Sequence, residues 1–272
     1  MLHKLSEKYH YSFVLLKELV KTDFKLRYQG SVLGYVWSLL RPLLLFLILY
    51  MVFVRFLKIG SDIPHYPIYL LMGIVFWNFF SDMTTQGLAS IVARGDLIKK
   101  IRLPRIIIVS SVSISALINF TLNLLVVAGF VVVNDVQPTA KLAWIVPLIV
   151  EVYVLALGVA LFLSALYVKY RDVSYVWELI LQAGFYITPV IYPMKYVVEN
   201  LSIEASKIMI LNPIAQIIQD VRYVLLGKDS VTISTIYANS LIRLVPLALV
   251  LGIFMVGVLY FRRESKLFAE NL

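Results

Sequence analysis

The chain has 272 residues, 61% hydrophobic and 15% charged, far more apolar than a soluble domain of ordinary composition. It has no cysteine, which excludes disulfides, zinc-thiolate sites and cysteine nucleophiles, and its three histidines, His3, His10 and His65, are too scattered to form a metal site. A net charge of +9 would suit a nucleic-acid partner in a soluble protein, but in a chain this apolar the first question is which loops carry the cations.

No polar block of domain size separates the apolar runs, so one membrane domain fills the chain. Between Leu16 and Pro42 the sequence passes from water into membrane. Phe13, Leu16, Val20 and Phe24 fall within a narrow arc at a helical period, with Glu18, Lys21 and Lys25 opposite. This predicts an amphipathic helix lying in the membrane interface and reaching to Arg27. Gln29, Gly30, Ser31 and Gly34 then loosen the backbone as a hinge, and Trp37 supplies an interfacial aromatic. No small-residue cleavage site follows a short apolar core, so residues 1–34 are expected to remain as a cytoplasmic segment.

Six spans are predicted within 35–262, at about 37–56, 68–92, 106–133, 142–168, 173–192 and 241–261. The second turns polar at Ser81, Asp82, Thr84, Thr85 and Gln86. After it, ARGDLIKKIRLPR gathers Arg94, Lys99, Lys100, Arg102 and Arg105, the strongest cytoplasmic-loop signal in the chain. The third span is rich in Ser, Asn and small residues, as in a helix packed on other helices. Lys169 and Arg171 follow the fourth, and Pro189 and Pro193 close the fifth. Residues 194–239 are too charged and broken to span, and are expected to form a short extracellular re-entrant helical hairpin. Arg262, Arg263 and Lys266 lead into a cytoplasmic tail, 263–272. The cations thus collect on the side of both termini, as the positive-inside rule requires, and no nucleic-acid partner is needed to explain them. The fold class expected is an all-α, multi-pass integral membrane protein.

Catalytic motifs are missing. Gly227 and Lys228, the one Gly-Lys pair, are followed by Asp229 and not by the Ser or Thr of a phosphate-binding loop, and neither HExxH nor GxSxG occurs. No catalytic residue and no metal site is expected. Carboxylates at membrane depth are Asp82, Glu151 and Glu178, and such groups are functional candidates because their desolvation is costly. Glu151 and Glu178 fit an interface or a polar neighbour equally well, whereas Asp82, beside Ser81 and Thr85, suits a polar path. Trp77 and Phe80 on span two, and Tyr50 on span one, have two readings that stay open: an aromatic belt, or faces that stack on sugar rings in a channel. In the loop 94–105, Gly95, Asp96, Leu97 and Ile98 predict a short capped helix with apolar residues to bury.

Four blocks, DFKLRYQGSVLGYVWSLLRPLL, FFSDMTTQGLASIVARGDLIKK, FYITPVIYP and LNPIAQIIQDVRY, together with the Arg-rich ending FAENL, resemble the permease subunits of ABC-2 type polysaccharide exporters almost end to end. The resemblance implies a homodimer in the bacterial plasma (inner) membrane. Each copy would bind a separately encoded ATP-binding cassette ATPase subunit and export a lipid-linked glycan. ATP and magnesium would belong to that partner, with no cofactor in this chain. Arg94, Gly95, Asp96, Leu97, Ile98, Lys99 and Lys100 would form the coupling helix, with the interfacial helix from Phe13 to Arg27 beside it. Within the family the sequence looks closest to exporters of wall teichoic acid or rhamnose-rich glycans, with O-antigen exporters not separated from them. Two rivals from other classes are an ion-coupled lipid or glycan flippase, for which Asp82 or Glu178 would be essential, and a membrane glycosyltransferase, for which no nucleotide-sugar site is found.

Overall fold

Every regular element of the computed structural model is helical among the described residues, which are 12–23, 25, 33–58, 63–100, 103–137, 140–227 and 230–272. The first helix, α1, covers 12–23. Its half-buried positions, Ser12, Leu15, Leu16, Leu19, Val20 and Asp23, recur at the three- and four-residue steps of one helix face. Leu16 and Val20 lie on that face as expected, and Phe13 faces outward. Phe24, Arg27 and the hinge at 29–31 lie outside the described residues.

Helix α2, Trp37–Leu49, contains Pro42, whose missing N–H leaves the carbonyl of Ser38 without its helical donor. The Nδ2–H of Asn123, on α5, reaches that carbonyl at 3.4 Å. Beyond Leu49 the helix widens into a π-helical stretch, Tyr50–Phe56. Helix α3, Tyr66–Ala93, is the hub, in contact with α2, α5, α6, α7 and α10. Its 28 residues reach about 42 Å at 1.5 Å per residue, and its first half is buried almost all round. The short α4, Gly95–Lys100, joins it to α5, Ile106–Val133. Then come α6, Ile145–Lys169, and α7, Val173–Ile187.

Helix α7 stops five residues before the end of the predicted fifth span. Thr188 turns extended, and Pro189 and Pro193 keep the chain from resuming a helix before α8, Met194–Asn200. Helices α9, Ile203–Ile210, and α10, Pro213–Leu226, follow. Each starts on a side-chain cap, with Ser202 Oγ accepting from the N–H of Ala205 at 3.0 Å and Asn212 Oδ1 from that of Ile214 at 3.1 Å. One turn of helix, α11 (Ile233–Ile236), precedes α12, Leu244–Glu264, and α13, Phe268–Asn271, ends the chain.

Among the described residues, four helical stretches are long and apolar enough to cross a bilayer: Trp37–Phe56, Ile106–Val133, Lys141–Lys169 and Leu241–Leu267. Of the other two predicted spans, α3 is long enough but polar in its second half, and α7 at 15 residues covers about 22 Å. Helix α10 is no surface helix: Ile214 to Gln219, Val221, Arg222 and Val224 are buried, against α3, α6 and α12. The tightest helix pair is α6 with α12. A Cβ on Gly158 would strike the backbone of Phe254, and one on Gly257 the backbone of Gly158, so only glycine permits this approach.

One end of the bundle collects the basic turns. Ile91, Ile98, Ile108, Leu161, Val168, Phe261 and Phe268 form a buried cluster there that ties α3, α4, α5, α6, α12 and α13 together. Around it lie Arg94, Lys99, Lys100, Arg105, Lys169, Arg262 and Arg263. We refer to this as the basic end.

Candidate functional site

Asn78, Ser81, Asp82, Thr85 and Gln86 recur on α3 at steps of three and four, so they share one face of that helix. The face opens on a cleft of about 550 Å³, whose other walls are Trp37, Ser38 and Arg41 of α2 and Asn119 and Asn123 of α5. The sequence reading placed Ser81, Asp82 and Thr85 together, and the structure brings all three to this one cleft. The polar groups share the opening with the apolar side chains of Val75, Phe79, Ala116 and Phe120. The opening offers donors and acceptors to a hydrated solute that hydrocarbon could not accept.

Trp77 and Phe80 do not join them. At 100° per residue Trp77 sits roughly 110° and Phe80 roughly 170° around α3 from the centre of the polar face. Both are buried against α7, where Trp177, Leu181, Gly184 and Phe185 form the facing stripe. Trp77 meets Phe185 edge-on at 6.0 Å, and Phe80 meets Trp177 at 6.2 Å. Gly184 leaves room for the Trp77 indole. A hydrogen bond from Trp177 Nε1 to Thr84 Oγ1, 3.2 Å, completes the contact. Tyr50 also lies away from the cleft, tilted on Phe46 at 5.8 Å, while Phe46 meets Phe130 edge-on. The aromatics of the expected path are therefore helix-packing groups. Trp37, 45% exposed, lines the cleft together with the buried Phe79 and Phe120.

The three carboxylates at depth separate in space. Asp82 is in the cleft, Glu151 lies beside Asp220 and Gln216 of α10, and Glu178 is on the open face of α7 at 3.5 Å from Gln182.

At the basic end, α4 carries Asp96 in its first turn and Lys99 and Lys100 in its last, the arrangement that suits the helix dipole. The apolar residues that α4 was expected to bury are covered by the chain itself. Ile98 is buried in the chain's own cluster with Phe261 and Phe268, Leu97 is half-covered, and Gly95 lies against Leu272. What α4 leaves open is polar: Asp96, Lys99 and Lys100. Arg94 is engaged as well. Its guanidinium donates to Ser111 Oγ at 3.0 Å and to the Ile108 carbonyl at 3.4 Å, and it pairs with Asp23 of α1. Ser111 Oγ also donates to Asp23. Helix α1 is thus bolted to the turn between α3 and α4 by a polar triad of Asp23, Arg94 and Ser111.

Sequence reasoning missed Arg222. This side chain is fully buried. Nε donates to the Tyr69 carbonyl at 3.0 Å, and the two Nη groups donate to the carbonyls of Pro189 and Val190, each at 2.6 Å. The guanidinium also lies 3.6 Å from the centroid of the Tyr69 ring. Tyr66 hydroxyl adds a bond to the Ile191 carbonyl at 2.7 Å. The helix break at Pro189 frees carbonyls where water is scarce, and one fork-shaped donor answers them. The signal available in the sequence was that demand: two prolines closing a span imply carbonyls in need of donors.

Comparison with known proteins follows the same segments. The family model described as ABC-2 type transporter matches residues 14–226, from α1 through α10. Two relatives from Klebsiella pneumoniae carry the name O-antigen export system permease protein RfbA. One is 31% identical over 216 residues, covering 79% of this chain and 81% of the relative, and the other 29% identical over 273 residues, covering 98% and 99%. A Myxococcus xanthus protein of the same name is 28% identical over 217 residues, covering 80% and 82%.

Proposed function

The chain belongs to the ABC-2 type transporter family, and from that premise we propose that it is the membrane-spanning permease subunit of a polysaccharide exporter. In this reading two copies form the permease, a separate ATP-binding cassette subunit docks on each at the basic end, and ATP hydrolysis there drives a lipid-linked glycan outward. Both termini lie in the cytoplasm, α3 and α7 complete six spans, and α8 to α11 form the outer re-entrant hairpin. The names of the relatives favour an O-antigen type of glycan over teichoic acid or a rhamnose-rich polymer.

The observation that carries this reading is the polar face of α3 on the cleft with α2 and α5. A sugar chain exposes a hydroxyl on nearly every ring carbon, and each left unpaired in an apolar medium costs several kcal/mol. Asn78, Ser81, Asp82, Thr85 and Gln86 provide partners along about two turns, with Arg41, Asn119 and Asn123 facing them. The ATPase would meet the polar side of α4, with α1 held beside it through Asp23 and Arg94.

The test is cysteine accessibility in cells that export the glycan, for which the chain is suited because it has no native cysteine. Single cysteines at 78, 82 and 85 should react with a water-soluble maleimide, and the reaction should depend on the partner ATPase turning over. Cysteines at 77 and 80 should stay protected. Equal protection at all five positions, with export intact, would remove the cleft from the path. Export that persists without any ATPase would point to the ion-coupled flippase.

A further inference from the structure

We propose that a second pocket, at the end of the bundle opposite the basic end, binds a saccharide unit of the glycan after it has left the α2–α3–α5 cleft. This inference rests on the polysaccharide-export reading. The pocket measures about 370 Å³, within the range of small-molecule sites, and lies where α6 and α12 begin, closed by α10 and α11. The 25 residues of α6 place it about 37 Å from the basic end.

Six side chains give it its chemistry: Lys141, Trp144, Gln216, Asp220, Tyr223 and Arg243. Trp144 is 67% exposed. The Lys141 ammonium sits 4.6 Å from the Tyr223 ring centroid and donates to its hydroxyl at 3.3 Å. Gln216 Nε2 donates to Asp220 Oδ2 at 2.5 Å, and Arg243 lies within electrostatic reach of the same carboxylate. Behind them Glu151 approaches both Asp220 and Gln216. Gln216 is only 8% exposed, yet its Oε1 has no donor.

Charge decides the class of ligand. The lining sets the carboxylate of Asp220 among Lys141 and Arg243. A phosphate drawn by the two cations would meet that carboxylate, and a metal ion drawn by the carboxylate would meet the cations. A neutral polyol meets neither objection. Planar carboxylate, amide and guanidinium groups each engage neighbouring hydroxyls, which donate and accept, and Gln216 Oε1 lacks the donor that a hydroxyl brings. The apolar C–H faces of a pyranose ring suit Trp144 and Tyr223. A tryptophan serving only as a membrane anchor would not require a carboxylate and a buried amide beside it. Bound here, each emerging unit would be held on the outer side, and backward slippage between transport strokes would be opposed.

The test uses the full chain in lipid nanodiscs and, as probe, short oligosaccharides released by mild acid from the surface polysaccharide of the source organism. Saturation-transfer NMR should show binding to the wild type. Trp144→Ala and Asp220→Asn should each weaken it by about tenfold or more, equivalent to about 1.4 kcal/mol. Trp144 is exposed, so its loss leaves the fold intact, which helicity and gel filtration verify. Absence of binding to the wild type, or binding that neither folded variant weakens, overturns the proposal. So does a Trp144 that responds to a change from phosphatidylcholine to phosphatidylethanolamine or phosphatidylglycerol nanodiscs and not to oligosaccharide, since the pocket is then a lipid-headgroup site. Export by cells separates the two readings: a wild type that exports glycan but binds none in this pocket sinks only the pocket, and a wild type that exports none sinks the function on which it rests.

Discussion

Replacing Arg222 by Met should unfasten the end of α7. The guanidinium serves three buried carbonyls, those of Tyr69, Pro189 and Val190, at 2.6 to 3.0 Å, and Met fills similar volume without any donor. A buried acceptor left unpaired costs about 1–3 kcal/mol, so the Pro189 and Val190 carbonyls cost about 2–6 kcal/mol together, while the Tyr69 carbonyl keeps its bond within α3. Removing a fully buried guanidinium also relieves its own desolvation, which offsets part of that loss. The net destabilisation expected is about 2 kcal/mol, or a fall in melting temperature of about 4 °C at roughly 2 °C per kcal/mol for a chain of this size. Thermal unfolding of the full chain in nanodiscs, followed by circular dichroism, measures the total, and hydrogen exchange across 186–193 localises it. Arg222→Lys should fall between the two, since a single ammonium cannot fork to three acceptors on two elements. If Arg222→Met melts within about 1 °C of wild type and exchange after α7 is unchanged, the Pro189 and Val190 carbonyls have other donors and the clamp is not one.

Trp77→Ala and Phe80→Ala should each destabilise the folded chain by about 3–5 kcal/mol, as large buried aromatics do. A loss of melting temperature alongside any loss of export marks them as packing groups, whereas slowed export at full stability would return them to the substrate path. Asp23→Ala and Arg94→Ala should be strongly non-additive, with a coupling on the order of 1 kcal/mol in a double-mutant cycle of thermal stability; additive losses would show that α1 is held by its apolar face alone.

The polar face of α3 was legible from sequence because Ser81, Asp82 and Thr85 obey the helical period within a run otherwise fit for lipid. The aromatics beside them were not, since a periodic pattern assigns residues to faces but does not say what each face meets. Only the position of α7, with Trp177 and Phe185 opposite Trp77 and Phe80, makes them packing groups. What covers Ile98 was hidden for the same reason: the sequence shows an apolar residue in a charged loop, but Phe261 and Phe268, which cover it, come from more than 160 residues away. Arg222 was hidden by its neighbours. In NPIAQIIQDVRY, a segment already charged, one arginine looks like another exposed cation, and its acceptors are peptide groups with no side-chain signature.

Helix α3 divides the molecule into a rigid part and two yielding ones. It runs unbroken from Tyr66 to Ala93, with its proline confined to the first turn, where no hydrogen bond is lost. At the basic end it is fixed to α1 through Arg94, and at the other end to α10 through the Tyr69 carbonyl and Arg222. Its neighbours on opposite faces are built differently. On the cleft side α2 contains Pro42 and passes into a π-helical stretch, and on the aromatic side α7 ends at an extended residue before two prolines. Helices bend where the regular hydrogen-bond ladder is interrupted, and α3 is not interrupted. In the proposed exporter, a push delivered to α4 by a partner at the basic end would therefore be carried whole along α3. The change in shape would be taken up by α2 against the polar face and by α7 against the aromatic one, so the cleft could widen on one side of a helix that itself keeps its form.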